Sequence, residues 1–344
     1  MTSARLVIDR RHAIGAFAAI ATAAIVASPS PAIADSAQPT DFRSEVVAVV
    51  PPTPSIAVSV VGGDSFVLLR VDSGVEVDVK GYADEPYLRF AANGAVYENR
   101  QSAAAYINGS RFGGGSVPEG VSANAEPDWA EVAAPGSGEY AWHDHRAHLM
   151  QPSAPVGARR GDQILTSVVP IVVNGVAVDV RIASTWMPAP SRWPAVLGAV
   201  VGAIAIAGAL VAPTRRAWGP VLAGVGAIAA VIGWVGYASL PSVTGPRPMW
   251  WLLPVLAVAF AIAAWMLGPT PGGHAAGAIA GLELAVWALD RRAGLTRALL
   301  PTDAPYWADR AVTTGAFTVG AVAAGVAIVS LFRSARRVPA RSPR

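Results

Sequence analysis

The chain has 344 residues, 53% of them hydrophobic and only 14% charged, against about 25% charged in an ordinary soluble domain. Its formal net charge of +3 is small and dispersed, which argues against nucleic acid as a partner. There is no cysteine, so disulfide frameworks and thiolate metal sites are excluded.

Residues 1–34 have the three parts of a secretory signal. Arg5, Arg10 and Arg11 form a basic front, Ala13 to Val26 is a short apolar run, and Ala32-Ile33-Ala34 offers a cleavage point before Asp35. The Arg10-Arg11 pair hints at the twin-arginine route, although the residues after it do not complete that pattern. An exported protein is expected.

Residues 35–192 have the composition of a globular domain. Val75 to Lys80 alternates apolar and polar residues with period two, and Val176 to Arg181 does so more loosely. Asn93-Gly94 and Asn174-Gly175 sit between strand-like runs, a strong hairpin signal. Further strands are expected at 56–61, 65–71, 87–91, 139–145 and 163–169. About nine short strands with Gly and Pro turns predict an all-β extracytoplasmic domain, a β-sandwich with the immunoglobulin type as one candidate. The Gly-, Ser- and Pro-rich stretch 109–138 reads as a long loop, and 35–43 and 184–193 as linkers. Glu85-Pro86-Tyr87 and Tyr97-Glu98-Asn99-Arg100 suggest either a binding surface or a structural Arg–Glu pair beside half-buried tyrosines.

Three of the five histidines fall within six residues, in Trp142-His143-Asp144-His145-Arg146-Ala147-His148-Leu149-Met150. On a strand, residues two apart share a face, so His143 and His145 project together and make a chelate for copper or zinc. His148 completes the set if the chain turns, and the Met150 thioether favours Cu(I), with zinc second. Asp144 and Arg146 are then supporting residues, paired with each other or orienting an imidazole. The competing reading is a hydrogen-bonded knot without metal that anchors Trp142 in the core. No Gly-x-Ser-x-Gly elbow, Walker loop, dinucleotide fingerprint or His-Glu-x-x-His pattern appears, and a non-enzymatic role is expected.

The runs Gly81-Tyr82-Ala83-Asp84-Glu85-Pro86-Tyr87-Leu88-Arg89-Phe90, Val96-Tyr97-Glu98-Asn99-Arg100 and Ala105-Tyr106-Ile107-Asn108, with the Trp-His-Asp-His-Arg-x-His stretch, resemble an uncharacterised family of exported bacterial membrane proteins. Its members more often carry a tryptophan where this chain has Leu149, which implies that this position is not a ligand. The resemblance implies the domain layout and no activity.

From 193 to 332 the chain reads as a membrane domain. A helix needs about 20 apolar residues to cross the bilayer core, and five segments qualify: 194–212, 218–240, 249–268, 275–289 and 311–332. Pro213, Pro241 to Pro248, and Pro269 to Gly273 read as breakers between them. Trp193, Trp218, Trp250, Trp251 and Trp307 fall near span ends, where an indole is half wet. An exported N-terminal half places Arg215, Arg216 and the basic tail 333–344, with Arg333, Arg336, Arg337, Arg341 and Arg344, on the cytoplasmic side. The loop 290–310 dissents, because it lies outside yet holds Arg291, Arg292, Arg297 and Arg310. Gly198 with Gly202, and Gly277 with Gly281, mark either a dimer interface or packing within one bundle. Glu283 lies inside the fourth span, where a carboxylate is costly and therefore a candidate functional group.

Three functions follow from this reading. The first is an envelope protein of the bacterial cell membrane whose outer domain binds copper through His143, His145, His148 and Met150. The second is a metal-free scaffold that assembles with other envelope or membrane proteins in the lipid. The third is a small transporter that uses Glu283.

Overall fold

The computed structural model describes residues 36–113, 115–151, 153–212 and 218–336. The expected signal segment, Arg215 and Arg216, and Arg337, Arg341 and Arg344 of the tail lie outside the described residues. The N-terminal half is β-structure and the C-terminal half holds five helices long and apolar enough to cross a membrane, so the chain is a multi-pass membrane protein.

The strands are β1 (Phe42–Val50), β2 (Ile56–Val61), β3 (Phe66–Val71), β4 (Val77–Lys80), β5 (Pro86–Phe90), β6 (Val96–Asn99), β7 (Trp129–Ala133), β8 (Glu139–Trp142), β9 (Gln163–Val173) and β10 (Val176–Trp186), with a short helix α1 (Ala104–Ile107) after β6. They form a seven-stranded sheet in the order β1-β10-β9-β4-β5-β6-β7 and a three-stranded sheet β2-β3-β8. All pairings are antiparallel. The sandwich therefore has its own strand order, distinct from the four-and-three split of constant-type immunoglobulin domains. Asn174 and Gly175 both take positive φ, 47° and 81°, as the tight β9–β10 hairpin requires.

Alternation builds the core. Val77 and Val79, Val169 and Ile171, and Val180 and Ile182 turn inward and meet Val67 and Leu69 of β3 and Trp142 of β8. Each such side chain contributes about 1.5–3 kcal/mol on leaving water. The four apolar residues at the start of β3, Phe66 to Leu69, are buried on both faces of the strand. Val67 and Leu69 enter the sandwich, whereas Phe66 and Leu68 pack with Leu240 and Trp250 of the helical half. The smaller sheet is thus the layer between the larger sheet and the bundle.

The helices are α2 (Trp193–Val211), α3 (Trp218–Ala238), α4 (Met249–Leu267), α5 (Pro271–Asp290) and α6 (Tyr306–Arg336). Pro271-Gly272-Gly273, expected as a breaker, is the first turn of α5. Thr270 caps it by accepting the Gly273 N–H at 3.1 Å, and proline at the first helical position forfeits no hydrogen bond. Glycines set the crossings. A Cβ on Gly198 would overlap the carbonyl of Ala311, one on Gly202 would come within 2.9 Å of the Gly315 oxygen, and one on Gly281 would crowd Gly320 and Ala324. Gly277 lies under the Trp218 ring. These glycines therefore serve packing within one bundle. Trp193 and Trp307 are exposed as interfacial indoles should be, but Trp250 is buried and its carbonyl accepts the Trp287 indole N–H at 2.6 Å.

The segment after residue 35, expected as a linker, is built into the structure. Ala37 and Thr40 are buried, and Thr40 pairs with Leu299 through N–H···O bonds of 3.1 and 2.8 Å. Asp41 accepts from the Ala298 N–H at 2.9 Å and from Arg297 at 3.0 Å. The dissenting arginines of the 290–310 loop are accounted for in the same region. Arg291 pairs with Asp309, Arg292 donates to the Leu289 carbonyl, and Arg310 donates to the carbonyls of Gly294, Arg297 and Ala298. The loops 239–248 and 291–305 both meet the β-half, so they lie at one end of the bundle.

Candidate functional site

The histidine run leaves the strand earlier than alternation predicts. β8 ends at Trp142, and residues 143–150 form a turn. The cause is Asp144, whose Oδ1 accepts the Arg146 backbone N–H at 3.0 Å, while the Ala147 N–H closes on the Asp144 carbonyl at 2.8 Å. Short polar side chains compete with ladder bonds in this way.

Asp144 is a fully buried hub. It accepts the Trp142 indole N–H at 3.0 Å and two guanidinium N–H groups of Arg146 at 2.8 Å each. Arg146 also donates to the carbonyls of Lys80 and Gly81 and lies over the Tyr82 ring at 4.9 Å. Burial works against the Arg146 charge, but the hydrogen bonds and charge of Asp144 outweigh it, so its pKa is raised. The expected pairing of Asp144 with Arg146 and the anchoring of Trp142 are both present.

The three imidazoles do not converge. Among the described residues, no group of three His, Asp or Glu side chains is placed to hold a metal ion. His143 stacks on Phe66, with centroids 4.3 Å apart and planes at 17°, and its Nδ1 donates to the Ser65 carbonyl at 2.5 Å. Its ring belongs to the layer between sandwich and bundle, and the expected projection beside His145 on a strand face is replaced by this packing.

His145 and His148 do come together, with ring centroids 5.6 Å apart and planes at 81°. His145 donates from Nε2 to the Ser110 carbonyl at 2.9 Å, which leaves its Nδ1 as the lone-pair nitrogen. His148 donates from Nδ1 to the Leu149 carbonyl at 3.2 Å, which leaves Nε2 as the acceptor. That Nε2 is buried and has no hydrogen-bond partner. Burial, reinforced by Arg111 and the other two imidazoles and opposed by the Leu149 bond, lowers the His148 pKa to about 4, so the ring is neutral at pH 7. Met150 is at the rim. A Cβ on Gly113 would stand 3.7 Å from the Met150 methyl and 3.6 Å from His145 Cε1, so both side chains lie against that glycine.

Residues with no signature in the sequence complete the surroundings. Arg111, in the stretch expected as loop, contacts both Asp64 oxygens at 2.5 Å and Thr40 Oγ1 at 3.0 Å, all buried. Phe112 stands edge-on to His148 at 6.3 Å. Tyr82 donates to Asn108 Oδ1 at 2.5 Å and accepts the His145 backbone N–H at 3.0 Å.

Two imidazole nitrogens and a thioether are donors that suit a soft monovalent ion. With metal–nitrogen bonds near 2.0 Å, two imidazoles on one tetrahedral centre have centroids about 5.2 Å apart. The observed centroid separation of 5.6 Å is close to that. An unsatisfied buried nitrogen also costs about 1–3 kcal/mol, which a metal bond removes.

Two glutamates singled out by the sequence lie away from this cluster. Glu85 is bound to Ser102 Oγ and to the Ala83 N–H at 2.8 Å, so it fixes the turn before β5, and among the described residues it has no ion pair with an arginine. Glu283 has a buried Oε2 without a hydrogen-bond partner, and no other charged side chain lies at its depth in the described spans.

No protein-family model, curated protein or solved structure matches the chain.

Proposed function

We propose that the chain is a protein of the bacterial cell membrane whose β-half faces the exterior and binds Cu(I) through His145, His148 and Met150. One observation carries this reading: His148, whose buried Nε2 has no hydrogen-bond partner, has its ring 5.6 Å from that of His145, and the Met150 side chain lies against the same glycine as His145. Cu(I) accepts few, soft, neutral donors, whereas zinc usually completes four positions and is commonly held by anionic ligands. His143 is left out of the ligand set, because its ring is committed to Phe66 and Ser65.

The orientation is supported by the signal-like N-terminus and by the basic tail 333–344. The arginines of the 290–310 loop count on the other side of this balance, and in the folded chain Arg291, Arg297 and Arg310 are engaged with carboxylates and carbonyls.

The test is Cu(I) competition against bicinchoninate with the full chain in detergent. Wild type should retain one Cu(I), the double variant His145→Ala/His148→Ala none, and His143→Ala one if it folds. Equal retention by wild type and the double variant removes the reading. The second function, a metal-free scaffold, is favoured by the Asp144 hub, which holds Trp142 and Arg146 in place through hydrogen bonds and an ion pair of the chain itself.

A further inference from the structure

The proposed Cu(I) site is asymmetric, and the asymmetry says how the metal moves. His148 forms the floor at 1% exposure, while Met150 at 37% and Phe112 at 52% form the rim, with Tyr82 at 38% beside His145. Arg111 and Arg146 nearby are each bound to a buried carboxylate, so neither competes as a free cation. Of the three donors His148 is buried, His145 partly exposed and Met150 the most exposed, so the solvent-facing side of the set is the Met150 side.

We propose that this is a transfer site, in which Cu(I) enters and leaves by ligand exchange on the Met150 side. The class of partner is a copper carrier that presents a neutral thioether or imidazole. This rests on the Cu(I) reading above. An incoming donor bonds to the open position, the Cu–Sδ bond to Met150 then breaks, and the ion passes outward as the His145 and His148 bonds are replaced in turn. The metal stays Cu(I) throughout, every donor is neutral, and no proton or electron moves. The exposed Phe112 and Tyr82 rings flank the pair, 6.3 Å from His148 and 6.2 Å from His145, and sulfur makes favourable contacts with aromatic rings.

The experiment is stopped-flow withdrawal of Cu(I) from the loaded full chain in detergent by bicinchoninate, varied over a tenfold range. Exchange at an open position predicts a withdrawal rate that rises in proportion to bicinchoninate. It also predicts severalfold faster withdrawal from Met150→Ala, a change at an exposed side chain that leaves the fold intact. A rate independent of bicinchoninate, or an unchanged rate in Met150→Ala, overturns the transfer role while leaving Cu(I) binding standing. Failure of the wild-type chain to load at all overturns both.

Discussion

The carboxylate of Asp144 accepts the indole N–H of Trp142, two residues earlier, at 3.0 Å. It joins the last core residue of β8 to the turn that carries His145 and His148. The same carboxylate neutralises Arg146, whose guanidinium is mostly buried. Asp144→Ala removes both partners and leaves a buried cation, so the expected loss is about 3–5 kcal/mol. Asp144→Asn keeps an acceptor and should lose less. Denaturant unfolding followed by tryptophan fluorescence measures both, and a loss under about 1 kcal/mol for the alanine variant would contradict the hub role.

Thr40 and Leu299 exchange two backbone hydrogen bonds across the junction of the two halves. Such facing pairs have Cα atoms about 5.5 Å apart, inside the range that a disulfide spans. The chain has no cysteine of its own, so Thr40→Cys/Leu299→Cys introduces the sole pair. It should oxidise readily in isolated membranes and give a faster-migrating band on a non-reducing gel. Thr40→Cys/Val176→Cys, with its second site at the far hairpin, should not. Absence of the first cross-link would mean that the β-half is not seated on the bundle.

All five helices are legible as apolar runs, because lipid forces a spanning segment to bond its own backbone and hide its polarity. The α5 boundary is not, since Pro271-Gly272-Gly273 looks like a break until Thr270 is seen to cap it. Alternation marks β4 and, more loosely, β10. It misplaces the histidines, because one side chain, Asp144, ends the strand by a local bond that periodicity does not register. β7 hides in a Gly- and Pro-rich stretch and is held by its pairing with β6. The Arg111–Asp64 pair joins residues 47 positions apart and leaves no trace in spacing.

Gly198 and Gly208 lie on the same helix, α2, with opposite surroundings. A methyl group on Gly198 meets the Ala311 carbonyl of α6, whereas one on Gly208 meets nothing within 4 Å. Gly198→Ala should push α2 away from α6 and destabilise the bundle by about 1–3 kcal/mol. Gly208→Ala should be neutral or stabilising, since alanine is favoured over glycine in helices by about 1 kcal/mol. Thermal aggregation in detergent compares them directly. Equal melting temperatures for the two variants would refute the close α2–α6 crossing.

Glu98 supplies a pH signature in the β-half. Burial raises its pKa above the ordinary carboxylate value, opposed by a hydrogen bond from Tyr87 and by the Arg100 charge. An acid whose folded pKa is raised favours the folded state at low pH. Its contribution is complete below the unfolded value near 4.3 and is lost as pH rises through the raised folded value. Over that window the unfolded chain gives up its proton first, so folding becomes less favourable as pH increases. Glu98→Gln cannot ionise and escapes this loss. The melting temperature of Glu98→Gln minus that of wild type should therefore increase from pH 4 to pH 7, with every other titrating group cancelling in the difference. A difference that stays constant across that range would show that Glu98 titrates in the folded protein as it does in the unfolded chain, and that its burial carries no electrostatic cost.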